Sequence, residues 1–305
     1  MKRLSVISRI RTSIHRRKKT KEEKLVPAKR WFSNGPLIDV FPQDDDEIDR
    51  LQQLHYSMKY AWVGNYSSPV HEVLSEGNKV LEIGCKMGTW LVDMSLQYPN
   101  SSFTGVDYRQ FLPTDTGPPN VTFLAENILD GLPFPNDTFD FVFMRFMGWH
   151  LNQMEWVRII NELTRVARPG GWIEIMESDM IWYNEGPHAQ QFRRGVLTEL
   201  FTKHRVNMVM SHLIPHHFKT TDAVDTVFVK QLSIPIGGWG GKIGYIHAFD
   251  TRWICRNLKR VVASFGLDKE RYSLLVDDIM NEIEVSNVYE NCYRFYAQKK
   301  AYSYY

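Results

Sequence analysis

The sequence is poor in cysteine and has no long apolar run. Its 305 residues include three cysteines, Cys85, Cys255 and Cys292. Three distant cysteines suit a reducing compartment and exclude both a disulfide framework and a cysteine-ligated zinc cluster. Because no apolar stretch approaches the roughly eighteen residues that cross a bilayer, no membrane span is expected. The hydrophobic fraction of 43% is that of a globular protein with a large core.

Charge divides the chain into two parts, although the formal net charge is only +2. Residues 1–30 hold twelve Lys and Arg against two acids, whereas residues 31–305 hold 25 basic and 33 acidic residues. An acidic remainder argues against a nucleic-acid-binding face on the folded domain. We therefore expect a disordered basic tail over 1–30 and one domain over 31–305.

The basic tail has three interpretations that the sequence leaves open. It is a solvated arm, a nuclear signal carried by the basic run 16–19, or a mitochondrial targeting segment. The last interpretation depends on apolar residues that follow one helical face before any acid, namely Leu4, Ile7, Ile10 and Ile14. The expected compartment is the cytoplasm or nucleus, with the mitochondrion as the alternative.

The hydrophobic pattern predicts alternating strands and helices after a first helix over 44–60. This alternation predicts a parallel sheet that is covered by helices on both faces. Expected strands cover 79–83, 102–106, 121–125, 139–144 and 172–177, and helices cover 89–98 and 152–167, which together make a core over 75–180.

The C-terminal part, 181–300, is less regular. A helix is expected over 189–204, and a helical stretch over 245–284 is interrupted near Gly266. Strands near 227–236 and 292–297 are expected to close the sheet as an antiparallel pair, and the helices between them to form a cap.

The most informative segment is VLEIGCKMGTW, residues 80–90. A strand ends in an acid, Glu82, and a turn containing Gly84 and Gly88 leads into a helix. Glycine allows positive φ and lets the backbone approach a bound nucleotide closely. Asp107 ends the second strand nineteen residues after Gly88, where a carboxylate accepts hydrogen bonds from ribose hydroxyls.

This turn favours an adenosyl ligand that carries positive charge. A dinucleotide site requires G-x-G-x-x-G so that a pyrophosphate contacts bare helix amides, but Lys86 stands at the second glycine position. Glu82 would also repel a pyrophosphate. The ammonium and sulfonium groups of S-adenosylmethionine suit a carboxylate, so the pattern favours this cofactor over NAD.

Residues 80–90 resemble the first motif of class I methyltransferases, E/D-x-G-x-G-x-G, with Lys86 in place of the middle glycine. Asp107 matches the acidic ribose-binding position, and segments 123–145 and 168–179 resemble the later motifs. The stretch IPIGGWGGKIG, 234–244, is similar to one in a fungal group that includes regulators of secondary metabolism. The resemblance covers about residues 40–298.

This resemblance implies an α/β, Rossmann-like fold whose mostly parallel seven-stranded sheet has an antiparallel last strand and a helical cap. It implies transfer of a methyl group from S-adenosylmethionine to a small-molecule or protein acceptor. A binding module that has lost turnover, which Lys86 would permit, and an NAD-dependent oxidoreductase are the alternatives. The cofactor contacts that it implies are Glu82, Gly84, Cys85, Gly88, Asp107, Asn127 and Ile128.

No catalytic residue can be assigned from the sequence, because methyl transfer needs a base only when the acceptor must lose a proton. Candidates near the expected mouth of the sheet are His150, Glu177, Asp179 and Tyr183. Each also has a structural interpretation: His150 would cap the following helix, and Glu177 would pair with Arg145.

Two further features have less weight. His212, His216 and His217 are metal-type residues, but Pro215 interrupts helical spacing, so a surface loop and no metal site are expected. Trp239, which lies among four glycines, is either a lid over the pocket or the buried anchor of a tight turn.

Overall fold

The computed structural model describes residues 41–42, 44–108, 117–209, 211–258 and 266–301. The predicted basic tail, 1–30, lies outside these ranges. The strands are β1 (Lys79–Ile83), β2 (Ser102–Asp107), β3 (Val121–Ala125), β4 (Phe139–Arg145), β5 (Ala167–Tyr183), β6 (Val224–Pro235) and β7 (Tyr289–Lys299). The α-helices are α1 (Asp45–Ala61), α2 (His71–Glu76), α3 (Thr89–Gln97), α4 (Gln153–Val166), α5 (Pro187–His204), α6 (Leu213–Thr220), α7 (Gly241–Asn257) and α8 (Lys269–Val285).

The strands form one sheet in the order β3-β2-β1-β4-β5-β7-β6. The last strand, β7, runs antiparallel to both β5 and β6, and the pairs among β1 to β5 are parallel. This confirms the predicted mostly parallel sheet with an antiparallel last strand. Ile83 of β1 lies opposite Val106 of β2 and Met144 of β4, so the carboxyl ends of these three neighbouring strands meet at one edge.

Alternating side chains on the strands bury both faces of the sheet. On β4, Val142 and Met144 pack in the cluster that contains the buried face of α4. Phe141 and Phe143 point to the opposite face, where Trp90 of α3 stacks on Phe143 with ring centroids 4.1 Å apart. The sheet is therefore covered on both sides, as the alternation of elements predicts.

A second hydrophobic core lies in the cap, where residues of α5, α7 and α8 pack together. The first helix, α1, joins this cap through polar contacts with α7. Arg50 donates to Asp250 at 2.7 Å, and the Ser57 hydroxyl lies 3.0 Å from Nε2 of His247. Chain segments about 200 residues apart thus build one cover over the carboxyl edge of the sheet.

Strand β5 is much longer than the predicted 172–177. It begins at Ala167 and includes Gly170, whose φ of +76° accompanies a register shift against β4. At its far end, Tyr183 still pairs with Tyr289 of β7. The additional length comes from pairing with a strand more than 100 residues later in the chain, which local sequence patterns do not report.

The loop predicted around the three histidines is wrong, because His216 and His217 lie in α6 and His212 is its N-cap residue. Pro215 is the third residue of this helix, where its missing N–H costs no intrahelical hydrogen bond.

Asn152, rather than His150, is the N-cap of α4, and it forms a capping box with Glu155. In the described ranges, no three metal-type side chains are grouped to hold an ion, and no helix has the length and apolarity to cross a membrane.

Candidate active site

Two carboxylates lie at the carboxyl ends of adjacent strands, as predicted. Glu82 of β1 lies opposite Gly105 of β2, and Asp107 is two residues further along β2. Residues two apart in a strand share a face of the sheet, so Glu82 and Asp107 point to the same side. Asp107 Oδ2 accepts a hydrogen bond of 2.8 Å from the backbone N–H of Lys86, which joins the tip of β2 to the turn after β1.

The turn after β1 is built from left-handed backbone conformations. The φ angles are +65° at Gly84, +50° at Lys86 and +71° at Gly88. At Gly84, a Cβ would also lie 2.4 Å from Sδ of Met147. Gly84 is therefore required both by conformation and by space, whereas Lys86 adopts the conformation that the motif glycine would adopt without strain.

Replacing Lys86 with glycine is expected to stabilise the protein relative to replacement with alanine. A non-glycine residue in the left-handed region costs about 1 kcal/mol or more, and the Lys86→Ala variant retains this cost while removing the charge. Denaturant unfolding should give Lys86→Gly a free energy of unfolding about 1 kcal/mol above that of Lys86→Ala. Equal stabilities would show that the positive φ at this position carries no strain.

The Cys85 side chain is packed against β2, and its Sγ lies 4.0 Å from the carbonyl oxygen of Lys86. It is 4% exposed, and Gly105 opens the space that its sulfur fills, because a Cβ on Gly105 would lie 2.8 Å from Sγ. Burial raises the pKa of the Cys85 thiol well above its usual value. The thiol is thus neutral and packed, and the backbone of Cys85 is the part that the turn presents.

Glu82 is completely buried at the floor of the site. Nε of Arg145 lies 3.3 Å from Oε1 of Glu82, and neither carboxyl oxygen has an aligned hydrogen bond with another described residue. Burial raises the pKa of Glu82 to about 7, although the Arg145 charge opposes this shift. The predicted pairing of Arg145 with Glu177 is wrong. Arg145 is next to Met144, which lies opposite Ile83 of β1, and its guanidinium faces Glu82 on that strand.

A buried polar network links Arg145 to α1 and α3. Nη1 of Arg145 lies 3.1 Å from Nδ1 of His55, and Nε2 of His55 lies 3.4 Å from Asp93. Asp93 also accepts hydrogen bonds from Lys59 and Asn65. Burial lowers the pKa of His55 to about 4, against the opposing effect of Asp93, so the imidazole is neutral at pH 7. The network holds α1 over the glycine turn.

Sequence reasoning did not identify this network as part of the site. The sequence did contain one signal for it. His55 is a polar residue on the apolar stripe of the first helix, beside Leu51 and Leu54. These two leucines line a small cavity of about 20 Å³ at the turn, together with Gly84 and Arg145. A polar residue such as His55 can face inward on α1 because it meets charged groups, Arg145 and Asp93, at the turn.

Asn127 and Ile128 follow β3 at the same edge of the sheet. The backbone N–H of Glu126 donates to the carbonyl of Asp107 at 3.0 Å, which places this loop beside the end of β2. Oδ1 of Asn127 accepts from the N–H of Leu129 at 2.9 Å, and Ile128 is 2% exposed. The structure thus brings these two residues to the side of Asp107.

A cavity of about 80 Å³ lies between the cap and the sheet, next to the glycine turn. Phe41, Trp149 and Trp182 contribute aromatic walls, and Asp179 and Glu290 contribute carboxyl groups. Burial raises the pKa of Glu290 to about 8. Lys86 lines both this cavity and the smaller one at the turn, so the two spaces meet at its side chain.

The four candidate bases have different surroundings. Asp179 lines the cavity and accepts hydrogen bonds from the N–H and hydroxyl of Ser211. Glu177 lies beneath it and accepts from the backbone of Met147, and burial raises its pKa to about 8. His150 and Tyr183 do not line this cavity in the described part of the chain, and Tyr183 stacks on Tyr289.

Trp239 is not among the described residues that line the cavity. It lies in a 3₁₀ turn, Gly238–Gly240, with 44% of its surface exposed, and its indole N–H donates to the carbonyl of Ile236 at 3.0 Å. The lid interpretation is wrong. The tight-turn interpretation holds for the backbone, but the anchor is half exposed rather than buried.

Residues 80–171 match the family described as methyltransferase domain. The chain is 27% identical over 200 residues to methyltransferase str3 of Strobilurus tenacellus, covering 63% of this chain and 68% of that protein. It is 28% identical over 160 residues to the secondary metabolism regulator laeA of Coprinopsis cinerea, covering 51% and 39%. It is 30% identical over 165 residues to N-methyltransferase verN of Clonostachys rogersoniana, covering 53% and 57%.

The matched domain contains the glycine turn and both acidic strand ends, and its strands form the parallel side of the observed sheet, from β3 at the edge to the start of β5. The relatives named above are fungal proteins, two described as methyltransferases and one as a regulator of secondary metabolism. Over residues 80–171, the chain is therefore similar to the family described as methyltransferase domain.

Proposed function

We propose that this chain transfers a methyl group from S-adenosylmethionine to a small molecule held in the cavity under the cap. The observation that carries the proposal is the pair of carboxylates on adjacent strand ends beside a glycine turn. The residues proposed to hold the cofactor are Glu82, Gly84, Cys85, Gly88, Asp107, Asn127 and Ile128.

The residues present fit a ligand with a positive charge and a ribose. The Glu82 carboxyl is buried without an aligned hydrogen bond in the described structure, and such a group is stabilised when a cation approaches. In our proposal Glu82 binds the ammonium group and Asp107 accepts hydrogen bonds from the ribose hydroxyls. The backbone of Gly84, Cys85 and Gly88 lies along the ligand, and Asn127 and Ile128 flank the adenine.

When bound, the cofactor supplies a methyl group on a sulfonium, which is a good leaving group. The protein then has mainly to align the acceptor with this methyl group and exclude water. The cavity adjoins the turn at Lys86, and its aromatic walls and carboxyl groups suit a compact acceptor that has both an apolar surface and a polar group. If the acceptor must lose a proton, Asp179 is the candidate base that faces this cavity.

Calorimetric titration of the purified chain with S-adenosylmethionine, S-adenosylhomocysteine and NAD tests this function. We expect both adenosyl ligands to bind at micromolar concentration and NAD not to bind, because Glu82 repels a pyrophosphate. Binding of NAD alone would assign an oxidoreductase. If neither adenosyl ligand binds at millimolar concentration, the chain is a binding module without turnover.

The affinity for S-adenosylhomocysteine is expected to increase as the pH rises from 6 to 8. The pKa of Glu82 is raised to about 7 by burial, against the opposing charge of Arg145, and the ammonium group of the ligand binds the ionised carboxylate. Below this pKa, each pH unit should cost up to about tenfold in affinity. Calorimetry across this range measures the slope.

The control for this pH dependence is Glu82→Gln, which has a similar shape but cannot ionise. We expect its affinity to be low and nearly constant between pH 6 and 8. This comparison separates Glu82 from Glu177 and Glu290, whose pKa values are about 8. The same slope in the Gln variant would assign the titration to another group.

A further inference from the structure

The amino group of Lys86 lies at the glycine turn among other charged side chains. The side chain is only partly exposed, and its Nζ forms no hydrogen bond or ion pair with any residue in the described part of the chain. It lines the small cavity at the turn and the larger cavity under the cap. A charged group in this setting has lost part of its hydration without compensation.

The charged groups around Lys86 make other contacts. Arg50 donates to Glu47 at 2.6 Å and to Asp250 at 2.7 Å. Arg145 faces Glu82, and Asp107 accepts from the backbone N–H of Lys86 itself. Burial and the neighbouring Arg50 lower the pKa of Lys86, against the effects of Glu47 and Asp107. The Lys86 charge also acts on the Glu177 carboxyl group, which accepts from the backbone of Met147. An anion that entered the turn cavity would therefore meet an amino group whose Nζ has no hydrogen bond or ion pair within the described ranges.

We propose that Lys86 binds the α-carboxylate of the amino-acid portion of S-adenosylmethionine. This inference rests on the function proposed above. Glu82 and Lys86 belong to one turn and carry opposite charges, which matches a zwitterion whose ammonium and carboxylate share one carbon atom. The side chain at position 86 thus contributes an ionic contact where the motif glycine contributes only close approach of the backbone.

The other source of a carboxylate is the acceptor, because Lys86 also lines the cap cavity. The cofactor is favoured because Lys86 stands between Gly84 and Gly88, and the cavity that it shares with Gly84, Cys85 and Arg145 is the one at the turn. A ligand bound along this backbone brings its amino-acid end to the same place.

The test compares S-adenosylhomocysteine with its decarboxylated analogue, S-adenosyl-3-thiopropylamine, which keeps the ammonium group. Both are titrated by calorimetry into the wild type, Lys86→Met and Lys86→Arg. Methionine keeps the Cβ and most of the length of lysine without its charge, and arginine keeps the charge. Lys86→Met should weaken S-adenosylhomocysteine roughly tenfold or more but change the analogue by less than about threefold. Lys86→Arg should retain most of the affinity for S-adenosylhomocysteine.

Two outcomes would overturn the inference. In one, Lys86→Met binds S-adenosylhomocysteine as tightly as the wild type, which would leave the acceptor as the source of any carboxylate. In the other, both ligands lose the same factor, which would indicate a structural role. Failure of the proposed function is distinguishable, since the wild type would then bind neither ligand.

Discussion

Replacing Asp107 with alanine is expected to weaken the binding of S-adenosylhomocysteine at least about a hundredfold. Two hydrogen bonds from ribose hydroxyls to a carboxylate contribute roughly 1.5–3 kcal/mol each, and the variant loses both. It also loses the acceptor for the Lys86 N–H, which lies 2.8 Å from Oδ2. Calorimetric titration of the variant measures the loss directly.

The matched control is Asp140→Ala, which removes an aspartate at the amino ends of the strands, away from the site. Asp140 lies near the start of β4, is 6% exposed, and accepts from the backbone N–H of Lys79 at 2.8 Å. We expect this variant to be less stable but to bind S-adenosylhomocysteine with unchanged affinity. Equal losses of affinity in the two variants would mean that general destabilisation, not the site, accounts for the Asp107 result.

Replacing Arg294 with methionine is expected to lower the free energy of unfolding by about 3–5 kcal/mol. Arg294 and Glu174 are 1% and 0% exposed, and Nε of Arg294 lies 3.7 Å from Oε1 of Glu174. Glu174 also accepts from the backbone N–H groups of Ser67 and Ser68, and Arg294 donates to the carbonyl of Gly64 at 2.9 Å. The variant would leave a buried carboxylate without its counterion. Denaturant unfolding provides the measurement.

This ion pair matters for the site because it anchors the loop after α1, the helix that covers the glycine turn. An exposed pair provides the control: Arg252 donates to Asp277 at 2.6 Å, and both side chains are at least one-third exposed. Arg252→Met should lower the free energy of unfolding by less than about 1 kcal/mol. If Arg294→Met lowers it by no more than this control, the buried pair does not anchor the loop.

Local patterns were sufficient to predict the part of the site that lies on β1 and β2. A strand, a glycine turn, a helix and a second strand ending in an acid have few possible arrangements, since parallel strands with short crossovers place their carboxyl ends together. The common face of Glu82 and Asp107 follows from this arrangement and is confirmed. The role of Lys86 in binding stays a prediction.

The cover over the site could not be predicted in the same way. The contact between Arg50 and Asp250 joins residues 200 positions apart, and no local pattern reports such a pairing. The partner of Arg145 depends on the register between β1 and β4, and the length of β5 depends on β7. Sequence separation, rather than weak local preference, limited these predictions.

A crystal structure of the chain with S-adenosylhomocysteine tests the central claim most directly. We predict that the ribose hydroxyls lie within hydrogen-bond distance of the Asp107 carboxylate and that the ammonium group lies beside Glu82, with the ligand along the backbone of Gly84. A nucleoside bound elsewhere, or an amino-acid portion turned away from Glu82 at full occupancy, would contradict the account.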